Sequence, residues 1–465
     1  MPETLNLPEV ELRQVGSPET DAGIPVMLTD KTMQDRLQRI LARMQAAQLD
    51  SLVFWCDLEH GSNFEYLTGF LTRFEEGLLV LKSDGDACLI LGNENLKLGV
   101  HSRLKARVIH CPYFSLPNQP MDGERSLAEI FREAGIGRKQ KIGVVGWKLF
   151  RASKMDSRYM FDLPEYVMCA LREAADGGEI VNAAALMIGP GGARTVNNAN
   201  EIAHYAFGSA LASDCVIRTM DTMECGMNEL ELAGHMQAMG QDPTVVTICA
   251  AGPRYEHANL YPRSRILEKG ATVSLTCGYK GGLASRSGYA VVSAEELPPQ
   301  CRGYIKELVE PYFRTVVIWL EQIRIGMTGG QLFELVDTVL PRERYHWKLC
   351  PGHLTADEEW LSSPVYEHSE EILQSGMMLQ LDIIPSVQGY GGTGCENGIV
   401  LADESLRSAL REEAPEEFAR MQRRREWIGR ELGIRLPEHV LPLSSGVGYL
   451  RPYMLAKGMA MTVKH

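Results

Sequence analysis

The side chains best suited to chemistry crowd into residues 349–401, LCPGHLTADEEWLSSPVYEHSEEILQSGMMLQLDIIPSVQGYGGTGCENGIVL. His353 follows a Pro-Gly turn, Asp382 ends an apolar strand opened by Gly376, and Glu396 precedes a second apolar run, Ile399 to Leu401. Two neighbouring strands and a turn would each deliver one imidazole or carboxylate to a common pocket, and such groups bind divalent metals or move protons. Glu358, Glu359 and Trp360 stand in the same stretch and would line the pocket mouth or, the expectation taken here, sit on an exposed turn. His204 on a helix reads as a packing or surface histidine, and His368 in a polar run as a solvated one.

These residues must be positioned by a chain of 465 residues, long enough for two to three domains. A formal net charge of -13 argues against nucleic acid or an anionic membrane as the principal partner, and a small-molecule substrate is expected instead. No apolar run is long enough to span a bilayer, and the opening MPETLNLPEVELRQ lacks the basic and apolar parts of a signal peptide. The eleven cysteines form no CxxC pair and read as buried, reduced thiols, so a cytoplasmic location is expected.

Residues 1–29 show no clear period and read as an arm. From Lys31, Met33, Leu37, Ile40, Leu41 and Met44 share one helical face, and the apolar run Leu52 to Cys56 follows. Leu78 to Leu81 and Ala87 to Leu91 flank an Asp-Gly pair, Asp84-Gly85, that predicts a hairpin. The alternation continues through a helix near Ser126 to Ala134 and a strand at Ile142 to Val145, giving an α/β domain over 30–188. Gly189-Pro190-Gly191-Gly192 reads as a linker, since neither a Walker lysine nor GxGxxG accompanies it. A long helix then starts at a cap expected at Asn200, and a second charged helix spans Ser405 to Leu432. Gly226-Met227-Asn228 and Gly326-Met327-Thr328 each open a helix after a long helical run, a weak internal repeat that suggests two related halves.

Ordered along the chain, Asn63 to Phe70 (NFEYLTGF), the Asn200-Glu201-Ile202 helix start, Gly226-Met227-Asn228-Glu229-Leu230, Arg265 to Gly270 and the 349–401 stretch resemble the creatinase and aminopeptidase P group. The resemblance implies an α/β N-terminal domain plus an α+β pita-bread C-terminal domain over 189–465, and a homodimer in which Arg73 reaches a neighbouring subunit's site.

Peptidases of this group hold metal with two Asp, one His and two Glu. Carried over, the first Asp meets Thr276, six residues after Gly270, and the second meets Arg286 in Gly282-Leu283-Ala284-Ser285-Arg286. His353, Asp382 and Glu396 match the other three. Two metals need bridging carboxylates, and a guanidinium within about 4 Å of a divalent ion would be repelled by roughly 8 kcal/mol at an effective dielectric near 20. The resemblance to creatinase, which lacks the two Asp ligands, then implies a metal-independent hydrolase of a C–N bond in a small carboxylate-bearing compound, with no metal and no cofactor. His257, His353, Asp382 and Glu396 would be catalytic, and Arg286, Arg73, Thr276 and Asn259 would hold substrate. A metal-dependent Xaa-Pro aminopeptidase or dipeptidase, and a non-catalytic binding protein in which Arg286 fills the vacated metal site, remain the alternatives.

Overall fold

The computed structural model describes residues 7–464, so the first six residues of the arm and His465 lie outside the described residues. The chain divides into one unit of residues 28–195 and another of 1–27 with 196–465. The arm is no free lead-in, because its strand β1 (Val10–Gln14) pairs antiparallel with the last strand of the second unit.

In the unit of residues 28–195, β2 (Ser51–Cys56), β3 (Gly77–Lys82), β4 (Ala87–Leu91), β5 (Arg107–His110), β6 (Lys141–Val145) and β7 (Glu179–Asn182) form one sheet in the order β5-β4-β3-β2-β6-β7. Every residue of β2 is buried, as expected of an apolar run covered on both faces. The β3–β4 hairpin closes where the Asp-Gly pair predicts it, with Gly85 at φ +91°.

The other unit is built on a repeat that the sequence showed only faintly. Gly226 (φ +95°) and Gly326 (φ +89°) end the long helices Ala199–Thr222 and Glu310–Gln322 in the same left-handed turn. Each turn then enters a helix through a capping box, Asn228 with Glu231 and Thr328 with Gln331. Gly226 N donates to Leu267 O (3.0 Å) and Gly326 N to Leu373 O (2.8 Å), so each turn docks on the segment leading into its half's strands. Thr276 stands six residues after Gly270 and Asp382 six after Gly376, which makes them corresponding positions of the two halves.

The first half supplies β8 (Ile248–Ala251), β9 (Thr272–Tyr279) and β10 (Gly282–Tyr289), and the second β11 (His353–Leu354), β12 (Met378–Gln380), β13 (Gly394–Glu396), β14 (Gly398–Leu401) and β15 (Val440–Pro442), before the closing β16 (Met459–Val463). β13 crosses to the first sheet, ordered β13-β10-β9-β8, while β11-β12-β14-β15 forms the second. The helix Ala199–Thr222 covers one face of β9 and β10.

Two helix boundaries differ from expectation. Asn198, not Asn200, caps the long helix, because its side chain accepts the Glu201 N–H while Asn200 turns to the Met27 carbonyl. The charged helix is two, Glu404–Glu413 and Pro415–Trp427, since Pro415 has no N–H to continue the first.

Candidate functional site

Strand register decides which side chains share the site. Thr276 on β9 lies opposite Ser285 on β10, and Ser285 lies opposite Glu396 on β13. Directly opposed residues point to the same face, and Thr276 Oγ1 and Ser285 Oγ are hydrogen-bonded at 2.8 Å. The burial pattern agrees: Ser274, Ser285, Ser287 and Glu396 are partly open, whereas Val273, Leu275, Arg286 and Cys395 on the other face are buried.

This register corrects the place given to Arg286. The guanidinium points to the closed face, where Nη1 donates to Ser285 O (2.8 Å) and Glu396 O (3.0 Å) and Nη2 to Asn397 Oδ1 (2.6 Å) and Gly446 O (2.6 Å). The four Nη hydrogens thus meet four acceptors on that face, and the fifth N–H, at Nε, is buried there without a partner. Burial lowers its pKa, yet Arg286 acts here as a strap beneath β13. The residue facing the site where the second Asp was sought is Ser285.

Across from this sheet stands His353, fully buried on β11. Its ring stacks on Trp360 with centroids 4.2 Å apart and planes 18° off parallel. Nδ1 lies 3.2 Å from the Leu354 carbonyl, which makes it an N–H donor and turns Nε2 inward. Nε2 sits 3.0 Å from Glu359 Oε1 and 3.8 Å from Glu396 Oε1, with no aligned hydrogen bond. Glu359 is the residue that the sequence left on an exposed turn. Leu354 N donates to Ser362 O and Leu361 N to Leu354 O, so the segment folds back as a hairpin and carries Glu359 inward, to 16% side-chain exposure. Gly281 N donates to Ala356 O (2.6 Å), pinning that hairpin to the β9–β10 turn.

The charges in the cluster are mutually uncomfortable. Glu396 is pushed up to about 8 by burial and by the neighbouring Asp382 and Glu359 carboxylates. Asp382 is pushed up to about 6, by burial first, and its Oδ1 is buried without a partner. Burial opposes protonation of His353, but the carboxylates around it outweigh that and raise its pKa.

An imidazole nitrogen and carboxylate oxygens that converge without hydrogen bonds fit a cation. Ligand atoms of His353, Glu359 and Glu396 all lie within 4.8 Å of one another. The set could hold one divalent ion, where none was expected; it does not fit two, because the neutral Thr276 and Ser285 hydroxyls stand where bridging carboxylates would be needed.

The remaining expected residues lie elsewhere. His257 is 88% exposed beside Glu256 on the loop after β8, a correction to its catalytic role. Asn259, also exposed, accepts the Tyr261 N–H, so its amide is engaged in a local turn. Arg73 belongs to the unit of residues 28–195, where its backbone N–H donates to Asn95 Oδ1.

Fold and site together define a class, a two-unit protein with a duplicated C-terminal half and a His-carboxylate centre between strands. A model of metallopeptidase family M24 matches residues 196–403, and a model of the creatinase/prolidase N-terminal domain matches 36–153. The chain belongs to the creatinase/aminopeptidase P family and has its pita-bread fold. Among solved structures it resembles an Xaa-Pro dipeptidase from Bacillus anthracis (TM-score 0.60, 16% identity, 80% of this chain and 96% of that one). It also resembles a prolidase from Pyrococcus horikoshii OT3 (0.60, 17%, 79% and 95%). Dipeptidase PepE from Mycobacterium ulcerans is similar again (0.61, 17%, 81% and 94%). At these identities the likeness is one of fold. No curated protein matches in sequence. Among the described residues no helix is long and apolar enough to cross a membrane.

Proposed function

We propose that the chain is a hydrolase that cleaves the amide bond of a short peptide-like substrate with one divalent ion. The observation that carries this is His353 Nε2 lying 3.0 Å from Glu359 Oε1 and 3.8 Å from Glu396 Oε1, a nitrogen and two carboxylates converging on one point that a cation, bound in place of the imidazole proton, would reconcile. Membership in a metallopeptidase family and the dipeptidase and prolidase names of the neighbouring structures support it. This takes the metal-dependent alternative over the metal-independent one.

His353, Glu359 and Glu396 would hold the ion. Bound there, it would supply a Lewis acid for the scissile carbonyl and lower the pKa of an attacking water. Trp360 fixes the plane of the His353 ring through its stacked indole. Asp382 offers at Oδ1 the buried acceptor without a partner to take the proton from water and pass it to the leaving nitrogen.

The test is hydrolysis of a proline dipeptide by protein loaded with manganese, zinc or cobalt and by protein stripped with chelator. Cleavage that needs metal and is lost in Glu359→Gln is expected. Metal-free cleavage of a small guanidino or amide acid would favour the creatinase-like reading, which the Thr276 and Ser285 replacements support.

A further inference from the structure

Glu359 reaches His353 from a loop that has no strand ladder of its own. Leu354 and Ser362 bridge at its base, and residues 355–361 between them form neither helix nor strand. Ala356 N and Thr355 Oγ1 both donate to Glu358 O, at 3.1 and 3.4 Å, bonds that turn the loop on itself without anchoring it.

The anchor is Asp357, two residues before Glu359. Its side chain is only 4% exposed, an uncommon place for a carboxylate. Oδ2 accepts the hydroxyl of Tyr205, a buried residue of the helix Ala199–Thr222, at 2.9 Å. Lys280 Nζ, on the β9–β10 turn, stands 4.0 Å from Oδ1. One carboxylate thus ties the loop to the helix by a charge-assisted hydrogen bond and to the turn by a counter-charge. Helix and turn are themselves locked together. A Cβ on Gly208 would collide with the Lys280 carbonyl, and one on Gly281 with the Tyr205 carbonyl, so the two backbones touch where glycine allows it. Gly281 N donates to Ala356 O at 2.6 Å, beside Asp357, and closes the clamp. A buried carboxylate is costly to desolvate, and this one secures the segment that carries Glu359. The repulsion of Glu359 by Asp382 and Glu396 pushes that segment outward, against the clamp.

We propose that Tyr205 and Asp357 are positioning residues, a latch that holds the 355–361 loop closed and so sets Glu359 against His353 Nε2. The inference rests on the reading of His353, Glu359 and Glu396 as one centre. Groups that act together must be held to within about 0.5 Å, and loss of an outer partner at a metal site typically costs about 10- to 100-fold in affinity.

The experiment measures manganese or zinc affinity by calorimetry, and amide hydrogen exchange of the metal-free full chain, in wild type, Tyr205→Phe, Asp357→Asn and Asp357→Ala. Tyr205→Phe removes a hydroxyl and no charge, so its effect on the ion is one of position. It should weaken metal binding about 10-fold or more and speed exchange of the 355–361 amides by a similar factor, with β12 and β14 amides changed less than about threefold. Asp357→Ala should do at least as much, and Asp357→Asn, which keeps an acceptor for Tyr205, should fall between it and wild type. Should Asp357→Ala fail to fold, Tyr205→Phe decides alone. If wild type binds no metal, the one-ion reading fails separately, and exchange at 355–361 still decides the latch. Exchange there unchanged in Tyr205→Phe, or faster exchange while the folded protein keeps its metal affinity, overturns the proposal.

Discussion

Thr276 Oγ1 and Ser285 Oγ are joined at 2.8 Å across β9 and β10, on the face that also presents Glu396. Two neutral hydroxyls satisfying one another occupy ground on which a second metal would need bridging carboxylates. Installing both, Thr276→Asp with Ser285→Asp, should raise manganese stoichiometry from one to two per chain by elemental analysis. Without metal the variant should melt lower than wild type, because two added carboxylates would then face Glu396 uncompensated.

Glu359 should matter as much as His353. Replacing it with Gln removes one negative charge from the centre. A unit charge pair 4 Å apart at an effective dielectric near 20 is worth about 4 kcal/mol, so metal affinity should fall by at least about 100-fold in a calorimetric titration. A change below threefold would remove Glu359 from the centre.

Arg286 should matter to stability. Arg286→Met strands four acceptors, Ser285 O, Glu396 O, Asn397 Oδ1 and Gly446 O, in a closed interior. The expected result is a loss of about 3–5 kcal/mol in denaturant unfolding.

Asp214 makes stability depend on pH. Burial, with the neighbouring Asp21 charge, pushes its carboxyl up to about 6, while its Oδ2 accepts the Ala22 N–H at 2.9 Å. The folded protein therefore holds this proton more tightly than the unfolded chain. The contribution is fully present below the unfolded value near 4 and is lost as pH rises through about 6, a span of about 3 kcal/mol. Asp214→Asn keeps an acceptor for Ala22 and should flatten that part of the stability profile between pH 4 and 7. An unchanged slope would contradict it.

How much of this was legible in the sequence depends on how local the signal is. His353, Asp382 and Glu396 each follow or end a turn-and-strand pattern that the chain states within a few residues, and the structure brings all three together. Glu359 was hidden because its burial comes from the Leu354–Ser362 hairpin, whose pairing no local pattern announces. Arg286 was misplaced by a single residue. Matching Gly282 to Arg286 against a motif ignores that side chains alternate across a sheet, so one step of register exchanges the open face for the closed one. The duplication was faint because only its glycine turns and capping boxes persist, while corresponding site positions diverged to Thr276 and Asp382.

The central claim is tested most directly by titrating chelator-stripped protein with manganese or zinc, following heat and elemental content, in wild type and His353→Ala. One ion per chain at micromolar affinity or tighter, lost in the variant and accompanied by recovery of dipeptide cleavage, is the result predicted. Two ions per wild-type chain, or binding and cleavage unchanged in His353→Ala, would contradict the one-ion centre.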